Sequence, residues 1–214
     1  MNLVTEDHVL VGIMVDATSK STMMTDFASV GLLCNNLIST RKRQMFDSSS
    51  DPIVNIPIAT PFDESDQVDH DALSRNIERW KKTPATGFLV GSQTGEEWFL
   101  SESEKLEIAR TVGQTLDESR VLIGGIDCPS VTETLRRAEA FADVGAEMVR
   151  IRFPRGESTL ESYFEQVLAR SPVPVLLMHQ PEPVSFGLAG RPAASPEVLA
   201  GVANMDNVFG YVTD

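Results

Sequence analysis

The chain has 214 residues, 42% of them apolar and 23% charged, with a formal net charge of −13. That is enough for one domain with a sizeable core. So large an excess of carboxylates repels phosphate backbones and anionic lipid, which argues against nucleic-acid and membrane-surface partners. The two cysteines, Cys34 and Cys128, form neither a disulfide framework nor a metal-ligand spacing and fit a reducing, cytoplasmic setting.

Composition changes sharply near residue 50. All twelve prolines lie beyond Asp51, and of the fourteen glycines only Gly12 and Gly31 precede it. Residues 1–50 hold no clear amphipathic period and end in Arg41-Lys42-Arg43 and Ser48-Ser49-Ser50. They read as a leader, disordered or loosely structured, before a domain over 51–214. A natural start at Met45 and a partner-binding arm are the other two readings. The apolar run Val9–Val15 is too short to cross a bilayer, and Glu6 and Asp7 stand where a signal peptide carries positive charge.

From Ile53 onward, short apolar runs alternate with amphipathic stretches. The predicted strands are Ile53–Phe62, Gly87–Gly91, Val121–Ile126, Met148–Phe153, Val173–Met178 and Val208–Val212. Each is nearly continuous in apolar, often β-branched residues, as in strands buried on both faces. Between them run helical stripes: Leu73, Ile77 and Trp80, then Leu106, Ala109, Val112 and Leu116, then Leu135, Ala138 and Ala142. Ser101 with Glu104, Ser130 with Glu133, and Ser158 with Glu161 have capping-box spacing, and Ser195-Pro196 puts proline in a first helical turn.

Strand–helix alternation of this kind predicts a parallel sheet. Either an open doubly wound sheet or part of a (β/α)8 TIM-type barrel fits, with about six strands and five helices. No G-x-G-x-x-G or P-loop follows the first strand, which lowers the doubly wound reading.

Several segments carry a resemblance. Ile58-Ala59-Thr60-Pro61-Phe62-Asp63-Glu64, the stretch Gly87–Glu96 (G-F-L-V-G-S-Q-T-G-E), Phe141-Ala142 with Gly145-Ala146, Val173–Leu177 ending at Pro181, and Asn207-Val208-Phe209-Gly210 follow one another in unbroken order. Together they resemble the dihydrodipicolinate synthase / N-acetylneuraminate lyase family. The resemblance implies a (β/α)8 barrel that assembles as a homo-oligomer and forms or cleaves a carbon–carbon bond beside pyruvate or another 2-oxo acid. In that family a lysine on the sixth barrel strand forms a Schiff base, a tyrosine after the fourth relays protons, and a T-T-G-E loop grips the substrate carboxylate. A protonated imine is an electron sink, so the amine is indispensable.

Carried over by position, Thr94, Gly95 and Glu96 match the second half of the loop motif, and Ser92 and Gln93 replace its first Gly and Thr. Gln93, Thr94, Gly95 and Arg152 are the candidate substrate-binding residues. The alternative reading of Thr94-Gly95 is a plain strand-to-helix turn. Arg155 stands near the tyrosine position, where an always-charged guanidinium cannot serve as a general acid. Val212 occupies the lysine position. The five lysines are Lys20, Lys42, Lys81, Lys82 and Lys105, none at the C-terminal end of a predicted strand, where barrel catalysts sit. No catalytic residue is therefore assigned.

Alternation along the fourth strand puts Arg150 and Arg152 on one face, either lining a barrel toward an anion or in salt bridges. Asp127, His179 and Asp214 fall near strand ends, where a metal-assisted lyase would place ligands and ordinary loops place hydrogen-bonding residues. Cys128, beside a predicted helix start, reads as structural. Trp98 and Phe99 read as packing or an oligomer contact, and Glu96 as the residue that holds its loop. Neither cofactor nor metal is called for. A closed barrel needs eight strands and about 250 residues, so a chain that is truncated, incompletely stable alone or dependent on another chain for closure is the expectation. The leading functional reading is a lyase or synthase by family, with the imine lysine lost. A non-catalytic 2-oxo-acid or sugar-acid binding or regulatory subunit, and a truncated product without independent function, are the alternatives.

Overall fold

A computed structural model describes residues 13–15, 53–154, 160–179 and 194–213. After Ile13–Val15 (β1), the order is β2 (Ile53–Pro57), α1 (His70–Trp80), β3 (Gly87–Val90), a 3-10 turn (Gln93–Gly95), α2 (Glu102–Thr115), β4 (Val121–Ile126), α3 (Val131–Asp143), β5 (Met148–Arg152), α4 (Leu160–Leu168), β6 (Val175–His179), α5 (Pro196–Ala203) and β7 (Val208–Thr213). Strands β2 to β7 are parallel and sit side by side in chain order, each joined to the next by one of the five helices. This is an incomplete TIM-type barrel, a sheet of six parallel strands curled with its helices outside. The doubly wound alternative reverses strand order partway across the sheet, which does not occur here.

Two apolar clusters show why the sheet curls. The larger lies between strands and helices and includes Ile58, Phe88, Val90, Leu122, Val149, Ile151, Val175 and Leu177 from the sheet, with Leu73, Ile77, Ile108, Phe141 and Phe164 from the helices. The smaller occupies the concave face and holds Leu89, Val121, Ile123, Met148, Leu176 and Val212. Along β3 to β6 neighbouring residues point alternately into the two clusters, as the pleat requires, and a register irregularity between Val208 and Gly210 shifts the pattern in β7. Strands β3, β4 and β5 are buried at every position. Each fully buried Leu, Ile or Phe contributes about 1.5–3 kcal/mol.

The caps fix the helix starts. Ser101 and Glu104 form the full reciprocal box at α2. At α3 only half of it forms: Ser130 accepts from the Glu133 amide, while the Glu133 carboxylate turns to Arg136 and Arg137. Ser195 caps α5 with Pro196 in its first turn, and Asp69 caps α1. Ser158 lies outside the described residues.

Two strands differ from expectation. The first parallel strand ends at Pro57, not Phe62. The Ile58 amide still donates to the Leu89 carbonyl, but the chain then turns away and Phe62 makes only an isolated bridge to Val68. The second difference is β1, inside the predicted leader. It pairs antiparallel with β2 in the register Ile13↔Asn55, Met14↔Val54 and Val15↔Ile53. It also comes within 8 Å of β7, measured between Cα atoms. No helix among the described residues is long and apolar enough to cross a membrane.

Candidate active site

Barrel chemistry belongs at the C-terminal ends of the strands, and there the concave face changes from apolar to charged. Along β5, Met148 packs in the inner cluster, and the next two inward positions are Arg150 and Arg152. Both are buried, Arg150 at 1% exposure and Arg152 at 4%. Arg150 Nη2 donates to the Gly91 carbonyl at 2.6 Å and to Glu97 Oε2 at 3.4 Å. Arg152 Nη2 donates to Glu97 Oε1 at 3.1 Å and its Nη1 to Asp127 Oδ2 at 2.6 Å. The Arg152 guanidinium also lies over the Trp98 ring, 5.7 Å from its centroid, a favourable cation–π arrangement. The two guanidinium and two carboxylate groups balance in formal charge.

Glycines make room for this quartet. A Cβ on Gly125 would collide with the Gly91 carbonyl and lie 2.7 Å from Arg150 Nη2. The Arg150 guanidinium therefore rests against bare backbone of β4 and the end of β3. Burial pushes Arg150 down to about 10, with Glu97 opposing the shift and Arg152 adding to it. It remains a cation at neutral pH.

The segment Ser92–Glu97 brings Glu97 into the quartet. Its 3-10 turn is pinned to the end of the first parallel strand: Thr60 Oγ1 donates to the Gly95 carbonyl at 2.8 Å, and a Cβ on Gly95 would lie 2.5 Å from the Ile58 carbonyl. Only glycine fits there. Of the four candidate binding residues, Gln93 and Thr94 are exposed at the turn, whereas Gly95 and Arg152 are buried. Glu96 does not hold the loop through its side chain. It is exposed with φ of 59°, and the adjacent Glu97, 5% exposed, makes the ion pairs instead. A left-handed Glu96 reverses the chain and sends Glu97 inward.

Val212 lies in the inner cluster at 8% exposure, paired in register with Met178. Both tyrosines face away from that cluster. Tyr163 on α4 donates to the Cys128 carbonyl and pairs with Thr134, and Tyr211 packs in the outer cluster against Phe153 and His179. Lys81 caps α1 and binds Glu78, and Lys105 on α2 binds Glu102, both on outer helices. Lys20, Lys42, Arg155 and Asp214 lie outside the described residues. His179 accepts at Nε2 from the Ala194 amide, and Asp127 is engaged by Arg152. Among the described residues no group of three or more His, Cys, Asp or Glu is arranged to hold a metal. Cys128 is buried and unbridged. A pit of about 210 Å³ lined by Asp117, Glu118, Arg120 and Glu147 opens beside the start of β4, at the end of the sheet opposite the quartet.

Sequence reasoning found the arginines from their alternation. It missed Glu97 as their partner, because those bonds span 53 and 55 residues of chain.

This arrangement, a parallel sheet curled around a polar inner face at its strand ends, defines a protein of the (β/α)-barrel class. The chain belongs to the dihydrodipicolinate synthetase family, whose model matches residues 53–210. It is 27% identical over 159 residues to a 4-hydroxy-tetrahydrodipicolinate synthase of Natronomonas pharaonis, covering 72% of this chain and 51% of that protein. It is 27% identical over 168 residues to an uncharacterized DapA-like lyase of Thermococcus onnurineus, covering 75% and 57%. The chain thus spans about half the length of the curated relatives it matches. Among solved structures, a dihydrodipicolinate synthase of Bacillus anthracis superposes with a TM-score of 0.65 at 18% identity, over 74% of this chain and 54% of that one. The prophage protein YagE of E. coli, solved in complex with pyruvate, gives 0.63 at 23% over 73% and 52%.

Proposed function

We propose that the protein serves the 2-oxo-acid chemistry of its lyase family at the level of substrate recognition, and that its described residues do not form the imine. The observation that carries this reading is Val212: an inward-facing alkyl side chain, packed by Met178 and Leu176, at the position where the family resemblance expects the amine. A valine offers no lone pair to a carbonyl carbon. The Thr94-Gly95 turn and the guanidinium groups below it supply donors for a carboxylate. The relative solved with pyruvate supports a 2-oxo acid as the ligand class. The family also supports a homo-oligomer, and Phe99, 68% exposed beside Trp98, is the apolar contact offered. A cytoplasmic setting fits the unbridged Cys128.

Imine formation joins a lysine nitrogen to the keto carbon and releases water. Borohydride then delivers hydride to that carbon and leaves a permanent secondary amine. Incubating the full chain with pyruvate and borohydride should give no mass increase. An adduct mapped to Lys20, Lys42 or any other lysine overturns the reading. The variant Val212→Lys places an amine in the apolar inner cluster, where burial lowers its pKa and favours the nucleophilic neutral form. That variant should trap pyruvate.

A further inference from the structure

We propose that Arg150 and Arg152 are the carboxylate-binding floor of this barrel, and that Glu97 is the internal carboxylate that occupies it when no ligand is bound. The inference rests on the 2-oxo-acid reading above and deepens it, since it moves anion recognition from the loop to β5.

The quartet leaves several buried donors without an acceptor. Among the described residues, Arg150 Nε and Nη1 and Arg152 Nε are buried without an acceptor. Nε and Nη1 together carry more than half of a guanidinium's N–H donors. Ser92 Oγ and Trp98 Nε1, which flank Gly91 and Glu97 in the chain, are buried and unpartnered too. Every one of these groups can donate, and each belongs to the two arginines or to a residue adjoining Gly91 or Glu97 in the chain. Leaving a buried donor unmet is costly, and for charged donors more so. An acceptor-rich ligand removes that cost, and a carboxylate, with about four lone-pair positions, is the best match.

Glu97 already shows the binding mode. Its two oxygens reach one guanidinium each, Oε2 to Arg150 and Oε1 to Arg152. A ligand carboxylate would take the place of Glu97 between the same pair and reach the donors still open as well. Because the quartet is balanced, the incoming anion meets the repulsion of Glu97, so the site is held weak by its own counter-ion. Removing that charge turns the floor into a net cation. Arg150 is a binding residue in this scheme, and Glu97 tunes it.

The test is isothermal titration of pyruvate into the full chain, with acetate and methyl pyruvate in parallel. Glu97→Gln keeps an acceptor and drops the charge, and should tighten pyruvate about tenfold. Arg150→Gln should weaken it at least tenfold. Arg150→Lys, which keeps charge without the planar donor set, should also weaken it. Methyl pyruvate, without the anionic carboxylate, should not bind. The proposal is overturned if Glu97→Gln fails to tighten binding, or if Arg150→Lys binds as the parent does. Should Arg150→Gln fail to melt cooperatively, the other two variants decide. Arg150-dependent binding of acetate without binding of pyruvate would sink the 2-oxo-acid reading and leave this floor standing. No binding of either ligand overturns the floor itself.

Discussion

Glu96 and Glu97 are adjacent and chemically identical, yet one is exposed and the other joins two guanidinium groups. Removing one partner of a buried ion pair leaves the other charge stranded, at a cost of about 3–5 kcal/mol. Glu97→Ala should therefore lower stability by about that amount in urea unfolding, whereas Glu96→Ala should leave the midpoint unchanged. Equal effects would remove the quartet from the core of the fold. At this scale the sequence was only partly legible. Alternation along β5 put Arg150 and Arg152 on one face, but nothing local tells which of two neighbouring glutamates turns inward. The left-handed backbone at Glu96 decides that, and glutamate has no intrinsic preference for it.

Among elements, the contact of α3 with α4 is the most informative. Tyr163 reaches from α4 to Thr134 on α3 and to the Cys128 carbonyl before it. Burial pushes its phenol up to about 12, against the hydrogen bond from Thr134. The folded value lies above the ordinary value of 10.0, so this stabilisation is complete below pH 10 and is lost as pH rises toward 12. Tyr163→Phe should lose about 1 kcal/mol at neutral pH. It should also show a shallower fall in melting temperature than the parent between those two values.

Glu133 gives the opposite sign. Hydrogen bonds from Arg136 and then Arg137 hold its carboxyl at about 2, below the usual 4.5. Its contribution is full above pH 4.5 and disappears as pH falls through 2. The melting-temperature difference between the parent and Glu133→Gln should vanish over that acid range. Helix boundaries were legible because capping is local chemistry: Ser101, Ser130 and Ser195 cap where their spacing predicts. The diversion of Glu133 from its box was not, since Arg136 and Arg137 compete for the same oxygens.

For the whole molecule, β1 matters most. It covers the outer edge of β2, whose amides would otherwise be an open template for pairing. Ile13→Pro or Val15→Pro removes donors from that short ladder. Hydrogen exchange at Ile53 and Asn55 should then accelerate, while β5 amides keep their protection. Unchanged exchange at Asn55 would mean that β1 does not cover β2 in solution. The apolar run Val9–Val15 contained this strand, but three residues carry too little pattern to announce pairing with a segment forty residues on.

Six apolar runs, their intervening amphipathic stripes and their caps determined the order and parallel direction of the strands, because each of those signals is written within a few residues of chain. The family followed from motifs that are just as local. Only the tertiary structure decided that Val212 faces inward beside Met178, that both tyrosines face outward, and that Glu97 pairs with Arg150 and Arg152. Those outcomes depend on how far the sheet curls and which strand lies opposite which. They are set by packing and charge balance between residues far apart in sequence, for which no local pattern exists.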